Sequence, residues 1–500
     1  MAPRFLTTKT QISGYRMLVR RIEQAFTRRD TRLLSSPFSM QTTAVILGFG
    51  LAGLVLAAGF VMGLIKPQPT RGEASIVATQ SGGRYVMYNG ALHPVTNLSS
   101  ARLIVGKADA IKTVKDAELE KYPRGLLMGI PGAPDEMIPR TDDTSRWAVC
   151  TQYNSATSLD LTPNISTRTL LIAGDPEIVP AQEPISDSEA ILVSERDGNT
   201  KKTWLLYNGM RSEISMSEKA LTSALQVDQD MLDKATPVSA AFLDAVPVRE
   251  AMRAPRLLRQ GQTSTAVPQY QVGAVLSSTG IDGDSMYLVF DNGVQPIGSF
   301  TAQVMINNGS KFVDNVSAAQ IAAAPHVVGA DMDHWPAQRP TLVQKDTVCF
   351  DWSRHGQAAA DSSLFALNSV PLKSEARDRV VALLPGTDQS PQADFFYTDP
   401  GRGWLVQVTG ESDGSLAREQ LWWVGDNGVR YAITGDSGSS PGDTLTKLGL
   451  GDAATQLVPW SVLRLLPEGA NLSPNSASVI HEQIPVEMAK NPITNVEGLK

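Results

Sequence analysis

Apolar and polar positions are spread unevenly along the chain. Near the N-terminus Tyr15, Leu18, Val19, Ile22 and Phe26 recur at i, i+3, i+4, i+7 and i+11. That spacing puts them on one face of a helix, with Ser13 as a candidate N-cap and basic residues at other positions. Residues 33–65 then contain no charge, and residues 42–65 read TTAVILGFGLAGLVLAAGFVMGLI. As a helix rising about 1.5 Å per residue, that segment is roughly 36 Å long, enough for a ~30 Å hydrocarbon core with some tilt. Its glycines, Gly48, Gly50, Gly53, Gly59 and Gly63, suit lipid, where small residues let helices approach. Gly59-x-x-x-Gly63 reads either as a pairing face or as plain glycine richness.

Downstream, four stretches share an apolar run, Asn-Gly, then an apolar residue. They are Tyr85-Val86-Met87-Tyr88-Asn89-Gly90, Trp204-Leu205-Leu206-Tyr207-Asn208-Gly209, Tyr287-Leu288-Val289-Phe290-Asp291-Asn292-Gly293 and Trp422-Trp423-Val424-Gly425-Asp426-Asn427-Gly428. Asn-Gly suits the positive φ angles of a type I′ turn, so each predicts a β-hairpin. A short helix is expected after each, over residues 99–105, 217–227, 317–324 and 448–458. Three units close on an apolar residue and proline: Ile130-Pro131, Val246-Pro247 and Leu466-Pro467. The Trp and Tyr residues that start the hairpins are expected as core anchors. A lone hairpin is marginal in water, so each unit must pack on a helix or a neighbour.

Charge supplies direction. Residues 1–37 hold Arg4, Lys9, Arg16, Arg20, Arg21, Arg28, Arg29 and Arg32 against Glu23 and Asp30, while the 500-residue chain has a net charge of −7. The basic arm precedes the span, and Lys66 and Arg71 are the only bases just after it. The positive-inside rule therefore predicts a cytoplasmic N-terminus and an acidic body, residues 66–500, outside. A cleaved signal peptide is the competing reading, but its apolar core would be shorter. So acidic a body argues against nucleic acid. A single apolar span excludes a polytopic transporter, and two cysteines exclude a disulfide-rich scaffold or a four-Cys zinc site. Outside the cytoplasm Cys150 and Cys349 are expected to pair; two buried thiols are the alternative. Closing so long a loop stabilises by at most roughly 5 kcal/mol in the chain-entropy model.

These readings predict an α+β chain with one transmembrane helix and an elongated extracytoplasmic region of four hairpin/helix repeats around a central, mainly-β domain. The expected segments are a cytoplasmic arm (1–41), the span (42–65), a linker (66–80) and repeat 1 (81–135). The first part of the central domain (136–198) precedes repeat 2 (199–250) and repeat 3 (270–328). The second part (329–415) precedes repeat 4 (416–470) and a tail (471–500).

The arm motifs Gln11-Ile12-Ser13-Gly14-Tyr15-Arg16, Arg20-Arg21-Ile22-Glu23 and Arg28-Arg29-Asp30-Thr31-Arg32 resemble those of the EccB family. The similarity continues through the single span, Trp147-Ala148-Val149-Cys150, the second cysteine and Leu465-Leu466-Pro467-x-Gly469-x-x-Leu472-Ser473. The resemblance implies a core membrane component of the type VII (ESX) secretion system, assembling with EccC, EccD and EccE. It also implies self-association through the periplasmic region, and repeats similar in fold to the cell-wall-binding subunit of a phage lysin. One departure is Ser35-Ser36-Pro37, where the family usually carries an acid before the proline.

ATP hydrolysis is attributed to members of that family, so phosphate chemistry needs a direct check. The only Gly-Lys pair, Gly106-Lys107, has Ala101 and Ala108 where a P-loop needs glycine and a hydroxyl. The resemblance assigns the energy source to EccC. Gly435-Asp436-Ser437-Gly438-Ser439 is similar to a serine-protease nucleophile loop, but no histidine stands in that class's setting. His326, Asp331, Asp333 and His334 form the densest cluster of possible metal ligands, at a spacing that matches no common site. His93 and His481 read as surface residues, and His355 as a weak candidate for pH-sensitive packing. No catalytic residue, cofactor or metal is expected. The leading function is a scaffold that docks partners through Tyr15, Leu18, Val19, Ile22 and Phe26; the alternatives are a peptidoglycan-binding anchor and an ATPase.

Overall fold

Thr8 opens the first helix, Lys9–Arg28, through a capping box in which its backbone N–H donates to Gln11 Oε1 at 3.0 Å. The expected cap, Ser13, lies inside this helix, because Thr8-x-x-Gln11 already satisfies the first-turn donors. In this computed structural model the described residues are 8–29, 37–65, 70–154, 166–174, 183–197, 200–280, 283–384, 391–436 and 438–482. Arg4, residues 30–36 with Ser35 and Ser36, Lys66, Ser437 and residues 483–500 lie outside them. The chain divides into two units, Met1–Thr70 and Arg71–Lys500.

The second helix, Pro37–Ile65, begins on proline, whose fixed φ suits the first helical turn. Its stretch Gln41–Met62 is long and apolar enough to cross a bilayer. This is the one such candidate helix among the described residues.

In the second unit, four sheets share one strand order. Each has a hairpin, an earlier strand antiparallel to it, and a returning strand parallel to the earlier one. In order across the sheet, the first is Ala91–Pro94, Arg84–Tyr88, Ile76–Thr79 and Lys112–Val114. The second is Met210–Ile214, Thr200–Tyr207, Glu189–Asp197 and Thr236–Pro237. The third is Gly293–Ile297, Gly283–Phe290, Val275–Gly280 and Phe312–Val313. The fourth is Arg430–Ile433, Leu421–Val424, Trp404–Thr409 and Gln456–Pro459. The second sheet also carries Val248–Arg249 and Thr341–Val343.

The helices that follow the hairpins are Leu98–Val105, Lys219–Leu225, Ser299–Asn307 and Pro441–Leu448. Two expectations are corrected here. The fourth helix is not at 448–458: Ser440 and Asp443 form a capping box around Pro441, and Gly449, at φ +85°, ends the helix. Gln456–Pro459 is then free to return as a strand beside Trp404–Thr409. After the third hairpin the first helix is Ser299–Asn307, and the one expected at 317–324 follows it as Ala318–Ala323. Ser299–Asn307 buries Phe300, Thr301, Ala302, Val304 and Met305, which erases the polar stripe that would have marked it.

Each hairpin is clasped by a proline carbonyl. The backbone N–H groups of Leu92, Arg211, Val294 and Arg430 donate to the oxygens of Pro123, Pro247, Pro325 and Pro467 at 2.7, 2.9, 2.8 and 3.0 Å. The first unit thus closes on Tyr122-Pro123 rather than Ile130-Pro131, and the third closes on Ala324-Pro325. Proline fits this edge position because its missing N–H faces away from the ladder.

The turns fall into two kinds, which corrects the expectation of four type I′ turns. Asn89 and Gly90 (φ +48° and +81°) and Asn208 and Gly209 (+46° and +68°) have the positive angles of type I′. Asn292 and Asn427 do not, because an aspartate precedes each and the turn moves back onto it. The third hairpin pairs Phe290 with Gly293, so Asp291 and Asn292 form the loop. Asp291 is held there by Thr265 and Arg259, and the Thr265 hydrogen bonds keep its carboxyl below the usual carboxylate range. In the fourth hairpin, Asp426 Oδ2 accepts the Gly401 N–H at 2.8 Å and Gly428 takes φ +77°.

A central sheet runs in the order Asp361–Leu367, Thr347–His355, Thr144–Asn154, Ser166–Ala173, Phe395–Tyr397 and Val381–Ala382. Cys150 and Cys349 stand directly opposite in antiparallel strands and form a disulfide, with Cα atoms 4.0 Å apart. Trp147, Val149, Val348, Phe350 and Trp352 carry one face of this sheet into a core shared with the second and fourth hairpin sheets. Two further hydrophobic clusters pair the hairpin sheets. The second and third share Tyr207, Leu221, Leu225, Leu288 and Phe300. The first and fourth share Leu103, Trp423, Tyr431, Leu448 and Leu472.

Candidate interaction site

Helix Lys9–Arg28 contributes no buried residue. Tyr15, Leu18 and Ile22 are exposed, Val19 is half-buried, and Phe26 is 84% exposed. At 100° per residue these five share one face with Ile12, which is also exposed and extends the stripe by one turn. Ile12 lies outside the stripe expected from sequence because it precedes Ser13, the candidate cap. Lys9, Arg16 and Arg20, at i−3, i+4 and i+8 from Ile12, line one flank of this strip, so the helix presents an apolar strip edged by cations. Uncovered, such a strip costs water-exposed apolar surface, and its geometry suits a groove on a partner helix or a lipid interface.

The hairpins bring together side chains that are distant in sequence. In the second and fourth, an arginine two residues past the turn glycine stacks on the tryptophan of the facing strand. Arg211 lies 4.7 Å from the Trp204 ring centre, and Arg430 lies 4.6 Å from Trp422 and 5.0 Å from Trp460. Each Nε donates to the carbonyl that precedes the clasping proline: Arg211 to Val246 at 3.1 Å and Arg430 to Leu466 at 3.0 Å. Burial pushes both guanidinium pKa values down, opposed by Asp244 beside Arg211 and Glu468 beside Arg430. In the first and third hairpins a tyrosine faces a proline instead, Tyr85 with Pro94 and Tyr287 with Pro296. The aromatic residues that open the hairpins thus build the interior or seal its rim.

The chemical candidates separate in space. Gly106 ends helix Leu98–Val105 at φ +80°, and Lys107 pairs with Asp109 at 3.0 Å. A phosphate cradle needs glycine at a helix N-terminus, where N–H groups point outward; Gly106 stands at the opposite, carbonyl end. His326 stacks edge-on against Tyr287, and His334 lies 3.7 Å from Asp331. Among the described residues no group of three or more His, Cys, Asp or Glu is placed to hold a metal ion. His93 Nδ1 lies 2.9 Å from the Leu126 carbonyl, His481 Nε2 2.8 Å from that of Gly129, and His355 Nδ1 3.0 Å from Thr144 Oγ1. In the protease-like loop Asp436 Oδ2 accepts the Asn475 N–H at 2.9 Å, which ties the loop to the first turn of helix Pro474–Ala477.

Comparison with known proteins places this geometry. The model of the EccB family, described as the type VII secretion system ESX-1 transport TM domain B, matches residues 4–486. The chain is 31% identical over 496 residues to the ESX-5 secretion system ATPase EccB5 of Mycobacterium tuberculosis, covering 97% of this chain and 95% of that one. It is 32% identical over 496 residues to the ESX-3 secretion system ATPase EccB3 of Mycolicibacterium smegmatis, covering 96% and 92%. A chain of an intact ESX-5 inner membrane complex superposes with a TM-score of 0.71 at 29% identity, covering 98% of this chain and 99% of that one. The EccB3 dimer from the ESX-3 core complex gives a TM-score of 0.69 at 30% identity, covering 81% and 100%.

Proposed function

Starting from the fact that the chain belongs to the EccB family, we propose how this structural core subunit of a type VII secretion membrane complex is arranged and what it holds. It is an inner-membrane protein with a periplasmic region. In the arrangement proposed, residues 1–41 are cytoplasmic, the chain crosses once, and residues 66–500 are periplasmic. The four hairpin sheets, with their helices and proline clasps, are four copies of one module set around the central sheet. The periplasmic modules associate with further copies of the chain, and the cytoplasmic helix docks on the membrane partners EccC, EccD and EccE.

The observation that carries the docking reading is the uncovered strip of Ile12, Tyr15, Leu18, Ile22 and Phe26 on a helix with no buried residue of its own. The test is affinity purification of the full chain from membranes with Leu18→Asp and Ile22→Asp combined. EccC is expected to be lost from the purified material, while the variant still inserts and forms its disulfide. Undiminished recovery of EccC would remove the proposal.

The ATPase activity in the relatives' names is not proposed for this chain, because Gly106-Lys107 sits at the wrong end of its helix. Turnover by the purified chain that one point substitution abolishes would overturn this. Cell-wall binding is the remaining reading, and Trp460, 42% exposed beside Arg430, is the surface aromatic it would use. Sedimentation with purified wall, lost on Trp460→Ala, would favour it.

A further inference from the structure

The fold treats its five Asn-Gly pairs differently: Asn89-Gly90, Asn208-Gly209, Asn292-Gly293, Asn308-Gly309 and Asn427-Gly428. All five asparagines are exposed. Asn-Gly is the dipeptide most prone to spontaneous deamidation, because no side chain shields the nitrogen that follows the asparagine. That nitrogen must still be free to attack, and the local chain must be able to bend toward it.

In three pairs the nitrogen is engaged. Gly428 N–H donates to the Gly425 carbonyl at 3.0 Å, and Asn427 Oδ1 accepts the Val429 N–H at 3.2 Å. Gly309 N–H donates to the Ile306 carbonyl at 3.0 Å at a helix end. Gly293 is a ladder residue paired with Phe290, and an added Cβ there would collide with the Pro325 carbonyl. The two type I′ turns differ. The cross-strand pairs that flank them are Tyr88 with Ala91 and Tyr207 with Met210, which leave Gly90 and Gly209 inside the loop. Among the described residues neither glycine N–H donates a backbone hydrogen bond. Gly209 is buried, with the place of a Cβ only 2.8 Å from the Ser362 carbonyl oxygen, so its turn is clamped against the central sheet. Gly90 is exposed and has nothing within 4 Å of that position.

We propose that Asn89 is this protein's site of spontaneous succinimide formation, and that hydrogen bonding and packing hold the other four pairs back. The Gly90 nitrogen gives up its proton and forms a bond to Asn89 Cγ. The Cγ–Nδ2 bond breaks, and ammonia leaves with the proton. Water then opens one of the two ring carbonyls, giving aspartate or isoaspartate. Either product adds a negative charge at the tip of the first hairpin. Isoaspartate also inserts a methylene into the main chain of a two-residue loop, where the pairing register has no slack.

The test ages the full chain in detergent in mildly alkaline buffer, then resolves aspartate and isoaspartate peptides by mass spectrometry. The Asn89 peptide is expected to convert at least several-fold faster than the Asn208 peptide. The peptides of Asn292, Asn308 and Asn427 should lag behind both. In denaturant the five rates should converge, since only the fold separates them. Asn89→Gln should remove the leading product and leave the others unchanged. Conversion of Asn292 or Asn427 as fast as Asn89 in the folded chain, or an order that persists in denaturant, would overturn the proposal.

Discussion

The second and third hairpin sheets meet through nearby stretches of chain, whereas the first and fourth meet across most of the second unit's sequence. Asn307 Nδ2 donates to the Ala220 carbonyl over a separation of 87 residues. Arg102 Nη1 donates to the Leu448 carbonyl over 346. The packing solution is the same in both: the helix after one hairpin lies against the helix after the other, Lys219–Leu225 on Ser299–Asn307 and Leu98–Val105 on Pro441–Leu448. Both pairs also carry added ties. Around the second and third sheets, Tyr207 Oη donates to the His334 carbonyl and Thr341–Val343 pairs with Glu189–Asp197. The distant pair is tied by Tyr431 Oη donating to the Gly132 carbonyl at 3.0 Å, and by Ile480–His481 pairing with Leu127–Met128. A pair that closes a longer loop pays more chain entropy before any contact forms, though the cost grows slowly with length.

Three perturbations probe this contrast. The largest effect is expected from Trp423→Ala, which empties the core between the first and fourth sheets at a cost of about 3–5 kcal/mol. Urea unfolding with limited proteolysis should show those two sheets released while the second and third stay protected. Phe300→Ala should give the mirror result; a single transition in both variants would mean that the pairs are not separate stability units. Next, replacing Cys150 and Cys349 with serine should cost about 2–4 kcal/mol, because the bridge closes a 199-residue separation around the second and third sheets. Thermal unfolding with and without reductant would measure it, and protection of the first and fourth sheets should change least. The smallest effect is expected from Asn97→Ala. Its Oδ1 caps helix Leu98–Val105 by accepting the Ser100 N–H at 2.9 Å, and its loss should cost about 1 kcal/mol in thermal unfolding.

What could be read from sequence followed from how far each signal reaches along the chain. The amphipathic helix and the apolar span were legible because a face or a run extends over many residues. The hairpins were legible from Asn-Gly, but the exact turn was not, since a preceding aspartate moves it by one residue at Asp291 and Asp426. The returning strands Thr236–Pro237 and Phe312–Val313 are too short for any period to show. The cysteine pairing was legible from number and compartment. Closure on Pro123 rather than Pro131 was not, because both prolines follow an apolar residue and only the ladder partner distinguishes them. The stacking of Arg211 on Trp204 and of Arg430 on Trp422 depends on cross-strand register, which no linear motif encodes.

The disulfide also decides where tension travels. If the second unit is stretched from its two ends until Ile480–His481 parts from Leu127–Met128 and the first and fourth sheets separate, covalent tension enters the central sheet at Cys150 and leaves at Cys349 through the sulfur bridge. Residues 151–348, which carry the second and third hairpin sheets, lie outside that covalent path. Two of the four hairpin sheets can therefore keep their shape while the other two take the strain.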